Sequence, residues 1–337
     1  MTTPQIDIDE SKFNSLVEKT QRIRDEVAKV IVGQKEVLEQ LLMGIFAGGH
    51  CLMVGVPGLA KTLMVRTLSE ILDLSFKRIQ FTPDLMPGDI TGSEVIEDQP
   101  DGTKKFVFIR GPLFANMILA DEINRTPPKT QAALLEAMQE HRVTVGIKTY
   151  SLDEPFFVLA TQNPIEQEGT YPLPEAQQDR FMFFIWVEYP ERDEEIGIYT
   201  QTTGNIETEL DPIMGGQDIL EINHIIREIP ISQPLLNYVT DIVRCTRTQR
   251  GKEGAEVVPD FIRKYQQWGA GPRAGQYLIM GAKARAFMNG HTHVAAEDIR
   301  SVARPVLAHR IIVNFTAEAE GITSLDLVER ILDIVEE

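Results

Sequence analysis

Short apolar runs alternate with helical patterns over the first two thirds of the chain. Four of these runs have the length of buried strands: CLMV (51–54), MILA (117–120), FFVLA (156–160) and FMFFIWV (181–187). Between the second and third runs, Ala132, Leu135 and Met138 recur at helical spacing within residues 129–140. Strands that alternate with helices are typical of βαβ units, so the pattern predicts an α/β fold with a parallel sheet flanked by helices.

The last third of the chain has a helical pattern throughout. Residues 203–217, which include GNIETELDPIMGGQ, are rich in turn formers and predict a linker. Helical spacing dominates the segments beyond it, such as PLLNYVTDIVRCTR and RAGQYLIMGAKARAFMNG. We therefore expect an α/β core over residues 1–202 and a smaller, all-helical domain over residues 218–337.

One uncharged stretch superficially resembles a membrane span. Residues 41–60 carry no formal charge, but Gly48, Gly49 and His50 interrupt the apolar run. A helix end, a turn and a buried strand explain the stretch better. The first residues, MTTPQIDIDESKF, lack the apolar segment of a signal peptide. We expect a cytoplasmic protein without a transmembrane segment.

Charge and cysteine content narrow the functional classes. The formal net charge is −17, which argues against a general nucleic-acid binder because phosphate backbones are bound by a surplus of Lys and Arg. The chain has only two cysteines, Cys51 and Cys245, which do not form the framework of a disulfide-rich protein. This cysteine usage favours a reducing cytosolic compartment.

A glycine-rich segment follows the first predicted strand. GVPGLAKT (55–62) fits the phosphate-loop pattern G-x-x-x-x-G-K-[ST] at Gly55, Lys61 and Thr62, but Ala60 replaces the second glycine. The order strand, loop, helix points backbone N–H groups at a phosphate, with Lys61 along the β- and γ-phosphates and the Thr62 hydroxyl on Mg²⁺. Because a positive φ costs alanine about 1 kcal/mol or more, we expect a negative φ at Ala60.

An acidic pair ends the second predicted strand. Asp121 and Glu122 follow MILA directly. At the carboxyl edge of a parallel sheet, the aspartate can hold the Mg²⁺ shell while the glutamate deprotonates a water molecule. Taken alone, the pair is better explained as an ordinary charged strand end. In the same sheet as a phosphate loop, it predicts a site for hydrolysis of a nucleotide.

Three further side chains extend this predicted site. Asn163 follows the strand FFVLA, where its amide can position the attacking water. Arg180 precedes the fourth apolar run, and Arg273 follows Pro272, which suits the first position of a helix. The charge of a phosphoryl-transfer transition state calls for arginines from the same chain or a neighbour. Taken alone, each arginine is more simply explained by a surface salt bridge.

The motifs, in order and over nearly the whole chain, resemble the MoxR family of AAA+ ATPases. The segments that carry this resemblance are GVPGLAKT, ILADEINR, LATQNP, EAQQDRF and GPRA. It implies a role for each residue singled out above: Lys61 and Thr62 as Walker A, Asp121 and Glu122 as Walker B, Asn163 as sensor 1, Arg180 as an arginine finger that reaches a neighbour's nucleotide, and Arg273 as sensor 2 of a lid domain. The resemblance also implies that alanine at position 60 is a feature of the family's phosphate loop and not a sign of a degraded site.

The resemblance also implies the ligands, ATP with Mg²⁺. The metal ligands would be Thr62 and Asp121. Relatives pack the adenine near the segment VIVGQ (30–34), so the nucleotide contacts are expected from two segments: Val32, Gly33, Gly55, Val56, Pro57, Gly58, Leu59, Ala60, Lys61, Thr62 and Leu63.

Two more stretches resemble the helix-2-insert branch of AAA+ proteins, which includes magnesium-chelatase ATPase subunits. TPDLMPGDITGSEV with FVFIRGPLF matches the insertion near residues 82–114, and HRVTVGIKTYSL (141–152) matches the hairpin before sensor 1. The resemblance implies a homo-oligomeric ring, hexameric when active, that assembles or activates client proteins in a chaperone-like way. Partners in this family are often von Willebrand A-domain proteins.

Two alternative functions stay open. A nucleotide-controlled scaffold with little hydrolysis would use the same binding residues. A nucleic-acid motor of the MCM-like type is suggested by the insertion, although the net charge of −17 disfavours it. A small-molecule kinase is the poorest fit, because it needs neither a lid arginine nor an arginine from a neighbouring chain.

Two remaining groups are interpreted as structural. His291 and His293 have no acidic or cysteine ligands beside them, so we interpret their segment as a loop. Cys51 lies within an apolar strand and has no sign of activation.

Overall fold

A computed structural model describes residues 10–100, 103–165, 169–203, 209–248 and 258–336. Of the predicted linker, residues 204–208 lie outside these ranges. The strands are Cys51–Val54 (β1), Phe76–Gln80 (β2), Gly92–Asp98 (β3), Lys104–Arg110 (β4), Met117–Asp121 (β5), Arg142–Val145 (β6), Lys148–Ser151 (β7), Phe157–Gln162 (β8), Phe183–Trp186 (β9), Gln266–Trp268 (β10) and Ile312–Val313 (β11).

The helices of the described residues include a short 3₁₀ turn at Ile123–Arg125. The α-helices are Glu10–Val27 (α1), Lys35–Ala47 (α2), Lys61–Ile71 (α3), Pro87–Thr91 (α4), Pro128–Glu140 (α5), Glu175–Gln178 (α6), Arg192–Thr202 (α7), Gly216–Glu228 (α8), Gln233–Cys245 (α9), Asp260–Tyr265 (α10), Pro272–Met288 (α11), Ala296–Leu307 (α12), Phe315–Ala319 (α13) and Ser324–Ile334 (α14). Pro272 occupies the first turn of α11, as its position predicts.

A five-stranded parallel sheet forms the centre of the α/β part. Its strand order is β2-β5-β8-β1-β9, and each neighbouring pair is parallel. This confirms the predicted parallel sheet and places the four predicted apolar runs in it. The fifth strand, β2, has the sequence FKRIQ and lies at the sheet edge, where Lys77 and Arg78 remain exposed. An edge strand has a neighbouring strand on one side only, so it tolerates polar residues. Because β2 contains such residues, it does not stand out as an apolar run in the sequence.

Side chains of the central strands alternate between two cores. Leu52, Val54, Ile118 and Ala120 belong to a cluster on one face that also contains Leu134 and Met138 of α5. The alternate positions Cys51, Met53, Met117 and Leu119 belong to a larger cluster on the other face. This period of two is what a sheet buried on both faces requires.

The larger cluster extends without a break into the C-terminal helices. Phe287 of α11 packs edge-to-face on Phe13 of α1 at 5.3 Å and on Phe46 of α2 at 6.4 Å between ring centroids. The predicted linker separates α7 from α8 along the chain, but both sides of it bury side chains in the same cluster. Helical spacing gave no sign of one small feature, the antiparallel pairing of β10 with β11.

Two antiparallel hairpins form separate two-stranded sheets beside the central one. β3 pairs with β4 after the short helix α4, and β6 pairs with β7 over the stretch for which the sequence predicts a hairpin. The two hairpins touch where Phe108 stacks on Tyr150, with ring centroids 4.1 Å apart. The uncharged stretch at 41–60 divides into the end of α2, a left-handed turn at Gly48 and strand β1, as expected. No helix in the described ranges combines the length and the apolar character needed to cross a bilayer.

A buried histidine joins three elements at the amino edge of the sheet. His50 Nε2 donates to Met138 O of α5 at 3.0 Å, and Val158 N of β8 donates to His50 Nδ1 at 3.1 Å. Both ring nitrogens are therefore used by the neutral imidazole. Burial lowers the pKa of His50 from 6.5 to about 4, because a charged ring would lose its water and its acceptor role.

We predict that His50 makes the fold sensitive to acid. The unfolded chain takes up a proton below pH 6.5 while the folded chain resists until about pH 4, so stability is lost as the pH falls between these values. Urea unfolding should show a loss of about 2 kcal/mol from His50 between pH 7 and pH 5, and His50→Gln should remove that part of the loss. Equal pH dependence in the two proteins would contradict this account.

Candidate nucleotide site

The loop between β1 and α3 has a left-handed backbone at two positions. Gly58 has φ +87° and Ala60 has φ +54°, and α3 begins directly afterwards at Lys61. The Lys61 ammonium donates to the carbonyl of Gly55, so the loop closes on its own first residue. Gly55 packs on Val187, whose carbonyl oxygen would lie 2.8 Å from an added Cβ.

The positive φ at Ala60 shows that the expected negative value is wrong. Left-handed residues that alternate with ordinary ones turn successive N–H groups toward one point and make an anion-binding concavity. The chain needs this geometry to pass from β1 into α3, and a bond from Gln34 Nε2 to Leu59 O (3.3 Å) fixes the same turn. The preference of alanine for a negative φ, worth about 1 kcal/mol, is overridden by the loop.

The Asp121 carboxylate is held by side chains from both neighbouring strands. Thr161 Oγ1 of β8 donates to Asp121 Oδ1 at 2.6 Å, and Arg78 of β2 donates to Oδ2 through Nε (3.0 Å) and Nη2 (2.7 Å). The Thr161 hydroxyl also accepts from Glu122 N at 2.9 Å. Thr161 therefore orients both acidic residues, through the side chain of Asp121 and the backbone of Glu122.

Glu122 and Asn163 are also oriented by hydrogen bonds. Gln80 Nε2 donates to Glu122 Oε2 at 2.7 Å, and Arg125 Nε lies 3.2 Å from the same oxygen. Asn163 is buried, and its Oδ1 accepts from Ile165 N at 3.1 Å. The NH₂ group is then the end of the Asn163 amide that can donate to a further partner.

These residues meet at one cavity of about 490 Å³. It is lined by part of the loop and by side chains from three strand ends: Pro57, Gly58, Leu59, Ala60, Lys61, Thr62, Leu63, Arg78, Gln80, Asp121, Glu122, Thr161 and Asn163. Burial lowers the pKa of Lys61, whereas Asp121 and Glu122 act in the opposite direction. The structure thus brings together the predicted phosphate loop, the acidic pair and the asparagine.

Four of the predicted nucleotide contacts lie outside this lining. They are Val32, Gly33, Gly55 and Val56. Val32 packs against α7, where an added Cβ on Gly197 would come within 3.0 Å of it, and the Glu194 carboxylate covers Gly33. The bond from Gln34 to Leu59 joins this segment to the phosphate loop.

The donor atoms fit a magnesium–nucleotide complex. Lys61 and the concave run of N–H groups suit phosphate oxygens, and the Thr62 hydroxyl and the Asp121 carboxylate are the hard oxygen ligands that Mg²⁺ takes. In the described ranges, no group of three or more His, Cys, Asp and Glu residues forms a separate metal site. His291 and His293 lie in an exposed loop, and burial raises the pKa of Cys51, so none of the three extends the site.

Arg180 and Arg273 lie at the opposite edge of the sheet. Met182 N donates to His50 O at 2.7 Å, so the Arg180 segment sits beside the amino end of β1, whereas the phosphate loop follows its carboxyl end. Four residues of strand separate these ends by about 13 Å. Arg273 forms an ion pair with Asp179 at 3.0 Å, and both arginines line a cavity of about 210 Å³ with Tyr277. Neither arginine reaches the loop of its own chain.

Sequence reasoning missed the residues that orient the acidic pair. Arg78 and Gln80 lie two positions apart on β2 and therefore share a face of this strand, next to Asp121 in the register. The alternation of Arg78 and Gln80 in FKRIQ indicates that they share one face of a strand. It points to Asp121 only when β2 is known to pair with β5. Thr161 belongs to the segment LATQNP, which the sequence singles out, but the sequence does not indicate that it orients the acidic pair.

Comparisons with known proteins agree with this geometry. The model of the ATPase family associated with various cellular activities (AAA) matches residues 50–183, and that of the AAA lid domain matches residues 261–331. The chain is 40% identical to Chaperone MoxR1 of Mycobacterium tuberculosis, covering 92% of this chain and 80% of that protein. It is 29% identical to Protein MoxR of Methylorubrum extorquens, covering 86% of each.

A solved structure shows the same fold over nearly the full length. The crystal structure of a candidate ATPase from Cytophaga hutchinsonii is 47% identical to this chain, with a TM-score of 0.89, and the match covers 97% of each chain. The similarity therefore includes the helical C-terminal part as well as the sheet and its loop.

We predict that Ala60→Gly stabilises the folded protein. Glycine has no Cβ penalty at φ +54°, and its greater freedom in the unfolded chain offsets only part of this gain, so unfolding should need up to about 1 kcal/mol more. The control is Ala282→Gly inside α11, which should lower the unfolding free energy by about 1 kcal/mol. Denaturant unfolding that shows the same loss for both variants would argue against the left-handed loop.

Proposed function

The chain belongs to the MoxR family of AAA+ ATPases, and on this premise we propose how its residues divide the work of ATP hydrolysis. It is an ATPase, and its similarity to Chaperone MoxR1 supports a chaperone-like role. We further propose that hydrolysis depends on Mg²⁺, that it takes place between two copies of the chain, and that it drives remodelling, assembly or activation of client proteins.

The phosphate loop and the acidic pair supply the groups of one chain. The N–H groups before α3 and the Lys61 ammonium bind the β- and γ-phosphates. Thr62 and Asp121 would hold Mg²⁺, which when bound would neutralise charge on the phosphate oxygens. Glu122, held toward the cavity by Gln80, accepts the proton of the attacking water. The Asn163 NH₂ group orients that water. Val32 and Gly33 lie beside the adenine, as in the family.

The observation that carries the proposal is the position of Arg180. The segment before β9 holds it at the amino edge of the sheet, and its guanidinium has no hydrogen-bond or ion-pair partner among the described residues. A cation kept unpaired at the edge away from its own nucleotide suits the γ-phosphate of a neighbouring subunit. Arg273 lines the same cavity as Arg180, and we propose that it too serves the nucleotide of a neighbouring subunit. The loop and the arginine are different surfaces of one chain, so copies would meet head to tail, and such contacts form a ring when the rotation between copies closes.

The remaining parts of the proposal come from the family. We propose a hexameric ring in the active state, a partner with a von Willebrand A-domain and a cytoplasmic location. The division into a core (1–202) with an insertion near 82–114, a linker (203–217) and a helical lid (218–337) belongs to the same proposal. The match of the AAA lid domain to residues 261–331 supports the last of these units.

We predict that Arg180→Ala abolishes turnover and leaves nucleotide binding intact. The arginine contributes to the transition state in the neighbour's site, so its loss should lower kcat by about a thousandfold or more. The dissociation constant for ATP, measured by calorimetry, should change by less than about threefold, because the phosphate loop is untouched. Lys61→Ala is the contrasting variant and should lose binding. Arg180→Ala with near-normal turnover would refute the assigned role.

A further inference from the structure

Side chains of the lid hydrogen-bond to the backbone on both sides of Arg180. Four successive carbonyl oxygens, from residue 179 to residue 182, each accept a hydrogen bond from a side chain of the C-terminal helices or the turn after α12. The donors are Arg310 to Asp179 O (2.9 Å), Tyr277 to Arg180 O (3.2 Å), Arg310 and His309 to Phe181 O (2.7 and 3.2 Å), and Arg310 to Met182 O (3.3 Å).

Arg310 is the centre of this contact. Its side chain is only 1% exposed, and its Nε donates to Asp179 Oδ1 at 2.8 Å in addition to the three carbonyl bonds. Nη1 also donates to the carbonyl of Val306 within α12, and the guanidinium lies 5.0 Å from the centre of the Tyr277 ring. A planar guanidinium that uses all three nitrogens in this way fixes both the position and the orientation of the chain it binds.

The N–H groups of the same segment are satisfied by the core. Arg180 N donates to Gln177 O (3.2 Å), Phe181 N to Gln178 O (3.0 Å) and Met182 N to His50 O (2.7 Å). The backbone around Arg180 is thus bonded on both sides, by the core through its N–H groups and by the lid through its carbonyls. The Arg180 side chain is the part left without a partner among the described residues.

We propose that Arg310 is a positioning residue for Arg180, and that through it the lid of each subunit controls hydrolysis in the neighbouring subunit. This inference rests on the proposed role of Arg180 in a neighbour's site. Because Arg310 bonds only the backbone and Asp179, it changes where the arginine is presented without touching the nucleotide. A shift of the lid moves the four carbonyls with it, and a displacement of about 1 Å of a catalytic group costs up to a hundredfold in rate.

Mixed assemblies of full-length variants test this directly. Arg180→Ala keeps a complete phosphate site but presents no arginine, and Glu122→Gln presents the arginine but cannot activate water. Each protein alone should release no phosphate from ATP. A mixture should regain turnover wherever an Arg180→Ala site meets the arginine of a Glu122→Gln subunit, at about a quarter of the junctions in a random ring.

The inference predicts an asymmetric effect of Arg310→Lys. Placed in the Glu122→Gln subunit, which donates the arginine, the substitution should lower turnover of the mixture about tenfold or more. Placed in the Arg180→Ala subunit, which binds the nucleotide, it should change turnover by less than about twofold. A substitution that merely loosens the fold would act in both places.

A milder variant and a matched control guard against misfolding. Tyr277→Phe removes only the hydroxyl that donates to Arg180 O, and it should show the same asymmetry at about fivefold. Arg285→Lys is the control, since Arg285 joins α11 to Asp298 of α12 at 2.6 Å without contacting residues 179–182. It should leave turnover unchanged in either subunit, and thermal unfolding should show whether each variant is folded at the assay temperature.

The outcomes separate the inference from its premise. No turnover in the mixture of Arg180→Ala with Glu122→Gln would overturn the assignment of Arg180 to a neighbour's site. Restored turnover that falls equally whichever subunit carries Arg310→Lys or Tyr277→Phe, or does not fall at all, would overturn the positioning role of Arg310 while leaving that assignment standing.

Discussion

The common direction of the five parallel strands decides where every functional side chain of this protein lies. Every strand of the sheet presents its carboxyl end at one edge and its amino end at the other. The phosphate loop, the acidic pair and Asn163 follow carboxyl ends and therefore meet at one cavity. Arg180 precedes β9 and must lie at the other edge. Because the sheet is packed on both faces, no side-chain rotation joins the two sets within one chain. This separation is why the account requires a second copy.

The electrostatics of the cavity follow from the same arrangement. Asp121 and Glu122 are adjacent in the sequence, and the repulsion between two neighbouring carboxylates has to be offset by nearby cations and hydrogen-bond donors. Arg78, Thr161, Gln80 and Arg125 provide them, and Lys61 faces the pair across the cavity. The C-terminal part of the chain plays the same role at the other edge of the sheet. There Arg310 donates hydrogen bonds to the carbonyl oxygens on both sides of Arg180. Each half of the proposed site is thus oriented by hydrogen bonds before the two halves meet.

Much of this site was predictable because its residues follow short apolar runs. β1, β5 and β8 are buried on both faces, so CLMV, MILA and FFVLA stand out, and the chemistry comes directly after each of them. Features that depend on neighbours were not predictable in the same way. β2 carries exposed Lys77 and Arg78 at a sheet edge, Ala60 adopts a positive φ because the loop imposes it, and Arg310 reaches a segment about 130 positions earlier in the chain. Such contacts are fixed by tertiary packing, which local preference does not encode.

The role of Arg180 in a neighbour's site can be measured as turnover per subunit against protein concentration, with the assembly state followed by analytical ultracentrifugation. If Arg180 acts in a neighbour's site, phosphate release per subunit should be near zero where the protein is monomeric and should rise in step with the assembled fraction. Full turnover in a verified monomer would contradict the account, because one chain cannot bring Arg180 to its own Lys61 across the sheet.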